Sequence, residues 1–203
     1  MKVVIATHNQ SKFIRYKELL KDIPDIELVS LTELGITKKI EEPYKSAAEN
    51  ALHKAIEYAK ITNLPTLAID EAVSTNFLPQ NEQPGVYVRR YANKEHEMTD
   101  EEVLALWEKI FKENTVTNKQ FIWDFQIAFY NPNNNQLFTD KIEMTSTVAP
   151  YFSDKREPGY PMSSFLIVEG TDKPRVELSE HEKVAVDKIH YKNFINNFKS
   201  WIH

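Results

Sequence analysis

The sequence predicts an α/β fold, and three patterns carry that prediction. A short apolar run, Val3-Val4-Ile5-Ala6, passes through a polar turn straight into a segment with helical spacing. An alanine-rich helical segment from Ser46 to Lys60 then leads into a second apolar run, Pro65 to Ile69. Finally, two strand-like runs, Phe121 to Tyr130 and Gln136 to Val148, flank Asn131-Pro-Asn-Asn-Asn135, which reads as a hairpin turn. Strands that alternate with helices must bury one face against each other, which is the arrangement of an α/β sheet.

Lys2 to Thr7 has the pattern of a buried strand, with the continuous apolar run Val3 to Ala6, and His8-Asn9-Gln10-Ser11 is the turn that follows it. Phe13, Tyr16, Leu19 and Leu20 share one helical face. A turn between strand and helix aims backbone N–H groups at whatever lies above the strand end, so it suits an anion. Asp25 to Leu31 reads as a second strand, and Glu33 to Lys45 as a polar stretch carrying Glu41 and Glu42. Ser46-Ala-Ala-Glu49 is a capping box that starts a helix whose apolar face is Ala47, Ala51, Ala55, Ile56 and Ala59. Pro65 to Ile69 is a central strand delivering Asp70-Glu71 at its C-terminal edge, where open α/β sheets keep their ligands. A Pro/Gln/Asn-rich connection runs from Phe77 to Asn93. Thr99-Asp-Glu-Glu102 then starts an acidic helix with Val103, Leu106, Trp107, Ile110 and Phe111 on its apolar face. After the hairpin, Pro150 to Pro161 is a loop, Ser164 to Val168 a short strand, and Leu178 to the end helical.

Composition narrows the chemistry. The 203 residues include no cysteine, which removes disulfides, thiolate catalysis, iron–sulfur clusters and Cys-ligated zinc, and is compatible with a reducing interior. Twenty-five Lys and Arg against 30 Asp and Glu give a formal charge of −5, the wrong sign for a sequence-independent nucleic-acid surface. The opening segment is unlike a signal peptide and no apolar run is long enough to span a bilayer, so the expected location is cytoplasmic.

Four features are candidates for a site: Lys12 just after the first strand, the pair Glu41-Glu42 before a helix, Lys54 inside that helix, and Asp70. Carboxylates and lysines at the ends of α/β elements suit a magnesium-assisted phosphoryl site, because Mg2+ takes hard oxygen ligands and phosphate oxygens take compact cations. Taken singly, each is better read as a solvated surface charge than as a functional group.

In order along the chain, these residues resemble the inosine triphosphate pyrophosphatase family, house-cleaning enzymes that hydrolyse deaminated purine nucleoside triphosphates. The matching pieces are Ala6-Thr7-His8-Asn9-Gln10-Ser11-Lys12; Glu41-Glu42; Glu49-Asn50-Ala51 with Lys54; Leu67-Ala68-Ile69-Asp70; Pro84-Gly85-Val86-Tyr87 with Arg90-Tyr91; Gly159-Tyr160; and Glu177-Leu178 with Glu182-Lys183. The resemblance implies an elongated, two-lobed α/β structure of Maf-like architecture, with a mixed sheet flanked by helices and a ligand cleft between the lobes. It places one lobe over about residues 1–95 plus 150–203 and the other over 96–149. It further implies that Thr7, Asn9, Lys12 and Lys54 hold the phosphates, that Glu42 and Asp70 hold Mg2+ with Glu71 as a further candidate, and that Asp70 orients or deprotonates the attacking water alongside Lys12 and Glu42. Tyr160, Lys183 and Lys188 would meet the nucleotide at its base, and a homodimer would form through the Pro84 to Tyr87 segment.

The chain also departs from the family. Where relatives carry two acids and then Ser/Thr-Gly, it reads Ile69-Asp70-Glu71-Ala72; after Gly159-Tyr160 it reads Pro161-Met162 instead of Asp-Pro; and Asp187-Lys188-Ile189 stands where Ser-His-Arg is expected. These changes fall on the acid pair and the base-reading end, while the phosphate-gripping lysines persist. Three readings stay open: a catalytically weakened sensor of ITP, dITP or XTP with Mg2+, placed beside an effector protein in a bacterial stress or antiviral pathway; an active pyrophosphatase forming monophosphate and pyrophosphate; and a scaffold without nucleotide. The aromatic series Trp123, Phe125, Phe129 and Tyr130 and the terminal Tyr191, Phe194, Phe198 and Trp201 are expected to be packing, His8 a turn residue near phosphate, and Arg89-Arg90 a partner of the acidic helix start.

Overall fold

The first strand, β1 (Lys2–Ile5), is buried at Val3, Val4 and Ile5 and pairs in parallel with β2 (Glu27–Ser30) on one side and β3 (Thr66–Thr75) on the other. The computed structural model describes residues 1–91 and 96–202; the end of the expected connection at Asn93, with residues 92–95, lies outside the described residues. Six strands are hydrogen-bonded in the order β2-β1-β3-β4-β5-β6, with β4 at Gln120–Asn131, β5 at Gln136–Val148 and β6 at Leu166–Val168. The β5–β6 pair is antiparallel, so the sheet is mixed. The helices are α1 (Gln10–Leu20), α2 (Ala47–Thr62), α3 (Asp100–Glu113), α4 (Glu180–His190) and α5 (Lys192–Trp201).

By contacts the chain forms two units. Unit 1 comprises 1–71, 125–142 and 187–203; unit 2 comprises 72–124 and 143–186. In unit 1, Val4, Ala6, Val29, Leu31, Ala51, Ala55, Tyr58, Ala68 and Ala128 form a core cluster, so the small residues of α2 lie directly on the parallel strands. On α1, the predicted face of Phe13, Tyr16, Leu19 and Leu20 is the buried face. The C-terminal aromatic run packs too: Phe198 meets the edge of Phe129, and Trp201 stacks on Phe138 at 5.4 Å. The helical stretch after Leu178 is two helices, not one. It restarts at Tyr191 (φ −93°, ψ 8°), whose ring is fully buried against Tyr16, Phe125 and Phe194.

Unit 2 is built around Trp107 of α3, fully buried among Phe77, Phe111 and Phe121 and stacked on Tyr91. Thr99 and Glu102 close a complete capping box at the start of α3. Arg89 binds Asp100 at 2.6 Å in the same turn. By contrast, only the Ser46 arm of the box is seen at α2, where its hydroxyl accepts from Glu49 N. Asn63, in the left-handed region at φ 55°, ends that helix and donates its N–H to Ala59 O.

One difference from expectation bears on the site. β3 does not stop at Ile69 but runs on to Thr75, so Asp70 and Glu71 sit in mid-strand. Its pairing with β1 covers only Thr66 and Leu67, against Val4 and Ile5. The two carboxylates therefore stand beyond the C-terminal end of the β1 pairing.

Candidate active site

The β1–α1 turn is built by its own side chains. Thr7 Oγ1 accepts from Asn9 N at 3.1 Å, and Asn9 Oδ1 caps α1 by accepting from Ser11 N and Lys12 N at 3.0 and 3.2 Å. That cap fixes Lys12 on the first helical turn, and its ammonium reaches Glu71 Oε1 at 2.7 Å. Burial pushes the Glu71 carboxyl up, but Lys12 beside it, with help from Arg15 and Lys54, outweighs burial and holds Glu71 below its ordinary value.

Around Lys54, three charges converge. Lys54 Nζ donates to Asp70 Oδ1 at 2.6 Å, lies 2.9 Å from Glu42 Oε1 and donates to the Ile69 carbonyl at 3.1 Å. Lys54 and Asp70 are buried, while Glu42 is about one third exposed at its side chain. Burial raises Asp70 above the usual carboxylate range; Lys54 pulls it down, and the nearby Glu42 and Glu71 charges push it up again. Lys12, Glu42, Lys54 and Asp70 thus all belong to unit 1, grouped around one stretch of β3. Two ammonium groups there face three carboxylates, with Arg15 also acting on Glu71.

Among the described residues, no group of three His, Cys, Asp or Glu side chains forms a metal cluster. The donor set fits Mg2+ nonetheless. Two hard carboxylate oxygens, from Glu42 and Asp70, already share one cation in Lys54 Nζ, and Mg2+ in phosphate sites takes one or two carboxylates and completes its shell with water and phosphate.

The base-reading candidates belong to other segments of the chain. In unit 2, Lys183 is buried and pairs with Glu180 at 3.0 Å and Glu157 at 3.4 Å, and the Tyr160 carbonyl accepts from Ser163 N and Oγ. Lys188, in unit 1, pairs at the surface with Asp22 at 2.8 Å. Asp187, next to it, takes a two-pronged bond from Arg15 at 2.8 and 2.9 Å, and that guanidinium lies 5.2 Å from the Tyr191 ring centre. Asp187, the first residue of the segment that departs from the family motif, is thus held in an ion pair by Arg15 of α1.

Sequence reasoning assigned no role to Asn50 and Tyr58. Both are buried on the face of α2 that carries Lys54, at successive intervals of four residues, and both bond to the segment that bears Glu42. A polar residue every fourth position within an otherwise alanine face was the signal that could have found them.

An α/β sheet with lysines and carboxylates gathered beyond the end of its first strand defines a class, an α/β protein whose charged cluster suits a phosphate-bearing ligand. Comparison with known proteins identifies the family. The model of the Ham1 family matches residues 3–190, and the chain belongs to that family. The dITP/XTP pyrophosphatase of Bacillus subtilis is 32% identical over 184 residues, covering 89% of this chain and 87% of that protein. That of Thermoanaerobacter pseudethanolicus is 28% identical over 204 residues, covering 100% and 96%. A solved HAM1 protein from Coxiella burnetii superposes with a TM-score of 0.75 at 26% identity, covering 100% of this chain and 98% of the other. No described helix is long and apolar enough to cross a membrane.

Proposed function

We propose that this chain binds a deaminated purine nucleoside triphosphate, of the dITP or XTP kind, together with Mg2+, and turns it over slowly, so that occupancy acts as a signal. The observation that carries this reading is the Lys12–Glu71 pair at 2.7 Å. Glu71 places a carboxylate on an ammonium that a triphosphate needs, and Ile69 leaves the strand one acid short of the family pattern. Binding then requires phosphate to displace Glu71 from Lys12, while Lys54 grips from α2. The names of the relatives support the substrate class.

In the binding step, Lys12 and Lys54 neutralise phosphate oxygens, and Thr7 and Asn9, which shape the turn and fix Lys12 on the first helical turn, line the phosphate site. Glu42 and Asp70 would hold Mg2+, with Glu71 as a further candidate, and the ion would supply charge neutralisation on the phosphates. In the base region, Tyr160, Lys183 and Lys188 are the proposed contacts. A ligand shifts a conformational equilibrium only by its difference in affinity for two states, and a slowly consumed ligand sustains that shift. An effector protein would read it, with a homodimer formed through Pro84 to Tyr87, in a bacterial stress or antiviral setting.

A second reading, active hydrolysis, is favoured by the intact Glu42–Lys54–Asp70 group. There Asp70, raised by burial, would take the proton of a water that attacks the α-phosphorus as the bond to the β-phosphate oxygen breaks, releasing monophosphate and pyrophosphate. Titration calorimetry with dITP, XTP and ATP in Mg2+, with pyrophosphate assayed in the same samples, separates the two. The expected result is tighter binding of dITP than ATP with pyrophosphate release far slower than by the Bacillus subtilis relative. Rapid release selects the active enzyme, and no heat with any purine triphosphate leaves a scaffold.

A further inference from the structure

Residues 36–46 form no helix or strand, yet they carry Glu42 to Lys54. Two anchors on α2 hold this strap, one on each side of Glu42. On the near side, Tyr58 Oη accepts from Ile40 N and donates to the Lys38 carbonyl, both at 3.2 Å. On the far side, Asn50 bonds Tyr44 in both directions, Oδ1 from its N–H and Nδ2 to its carbonyl, each at 3.1 Å. Glu42 thus lies two residues from a fixed backbone group in either direction. Asn50, Lys54 and Tyr58 follow one another every fourth residue, so a single helix face holds both ends of the strap and the cation that its carboxylate meets.

His8 extends the near anchor into the β1–α1 turn. Its Nε2 lies 3.1 Å from the Lys38 carbonyl and 3.0 Å from Tyr58 Oη. A carbonyl only accepts, so the contact to Lys38 is a hydrogen bond in the tautomer that protonates Nε2, and there Tyr58, whose own proton goes to Lys38, is placed to accept it as well. The turn that presents Lys12 and the strap that presents Glu42 are therefore tied through one imidazole and one phenol.

We infer that Tyr58, Asn50 and His8 are positioning residues that hold the Glu42 strap for divalent-cation binding and couple it to the phosphate turn. This rests on the reading of Glu42 as a cation ligand given above. Groups that orient a metal ligand typically change metal affinity 10–100-fold when lost. Tyr58→Phe keeps the buried ring and removes only the hydroxyl.

The test compares wild type, Tyr58→Phe, His8→Phe and His8→Gln by dITP titration in EDTA and across a Mn2+ series, and by limited trypsin cleavage after Lys38 and Lys39, which are exposed on the strap. For Tyr58→Phe the expected result is about a tenfold rise in the Mn2+ concentration for half-saturation. Affinity for dITP in EDTA stays unchanged and cleavage is several-fold faster. His8→Phe follows in the same direction, and His8→Gln, which keeps a donor, restores both readouts. An equal loss in EDTA and Mn2+, or an unchanged Mn2+ requirement with unchanged cleavage, overturns the inference. Wild type that takes up no dITP in Mn2+ refutes the functional reading instead, and the trypsin comparison still decides whether Tyr58 and His8 hold the strap.

Discussion

Replacing Glu71 by Gln removes the carboxylate that competes with phosphate for Lys12. Two unit charges 2.7 Å apart attract by about 6 kcal/mol at an effective dielectric of ~20 and by about 1.5 kcal/mol in water. The side chains of Lys12 and Glu71 are 27% and 23% exposed, so solvent screens the pair and the lower figure governs. A ligand freed from that competition gains about 1.5 kcal/mol, which is roughly a tenfold fall in Kd for dITP with Mg2+. The same change removes a native ion pair, so stability should fall by up to about 1 kcal/mol while affinity rises. Calorimetry at fixed ionic strength, paired with a melting curve of the free protein, reads both. An unchanged Kd would refute the competition. A weaker complex would show that Glu71 is itself a cation ligand.

Lys54→Met leaves the Glu42 and Asp70 carboxylates without their shared cation. The expected cost is about 3 kcal/mol, or a melting drop of roughly 6–12 °C, and Mg2+ should recover more of it than it adds to wild type; equal Mg2+ effects on both proteins would count against a cation site there. Ile69→Asp combined with Glu71→Ser should raise pyrophosphate release at least tenfold if the altered acid pair limits hydrolysis, and no change would place the block elsewhere. At the start of α4, the Ser179 backbone N–H, then its hydroxyl and Lys173, lower the Glu182 carboxyl from 4.5 to about 2. A depressed carboxylate stabilises the fold above its unfolded value, so this contribution is complete above pH 4.5 and is lost as pH falls through about 2. Carboxyl NMR of Glu182 should show a midpoint near 2, and a midpoint near 4.5 would contradict the cap.

Much of unit 1 was legible because its signals are local. Apolar period and caps define α1 and α2, and the order of Lys12, Glu42, Lys54 and Asp70 points to the family before any geometry is known. The length of β3 was not legible, because Asp70 and Glu71 look like a strand end until pairing shows that β3 outruns β1. The partners of the charges were hidden for the same reason. Nothing near Lys12 in sequence announces Glu71, nothing near Arg15 announces Asp187, and the strap held by Tyr58 reads as a polar stretch whose Glu41 and Glu42 stand out but whose anchors do not. Long-range pairing decides each of these, and a single sequence carries no record of it.

The most direct measurement of the central claim is Mn2+ binding followed by electron paramagnetic resonance, with and without dITP, in wild type, Asp70→Asn and Glu71→Gln. One ion per chain should become tightly bound only when dITP is present, disappear in Asp70→Asn and persist in Glu71→Gln. Equal Mn2+ uptake by wild type and Asp70→Asn in the presence of dITP would contradict the account.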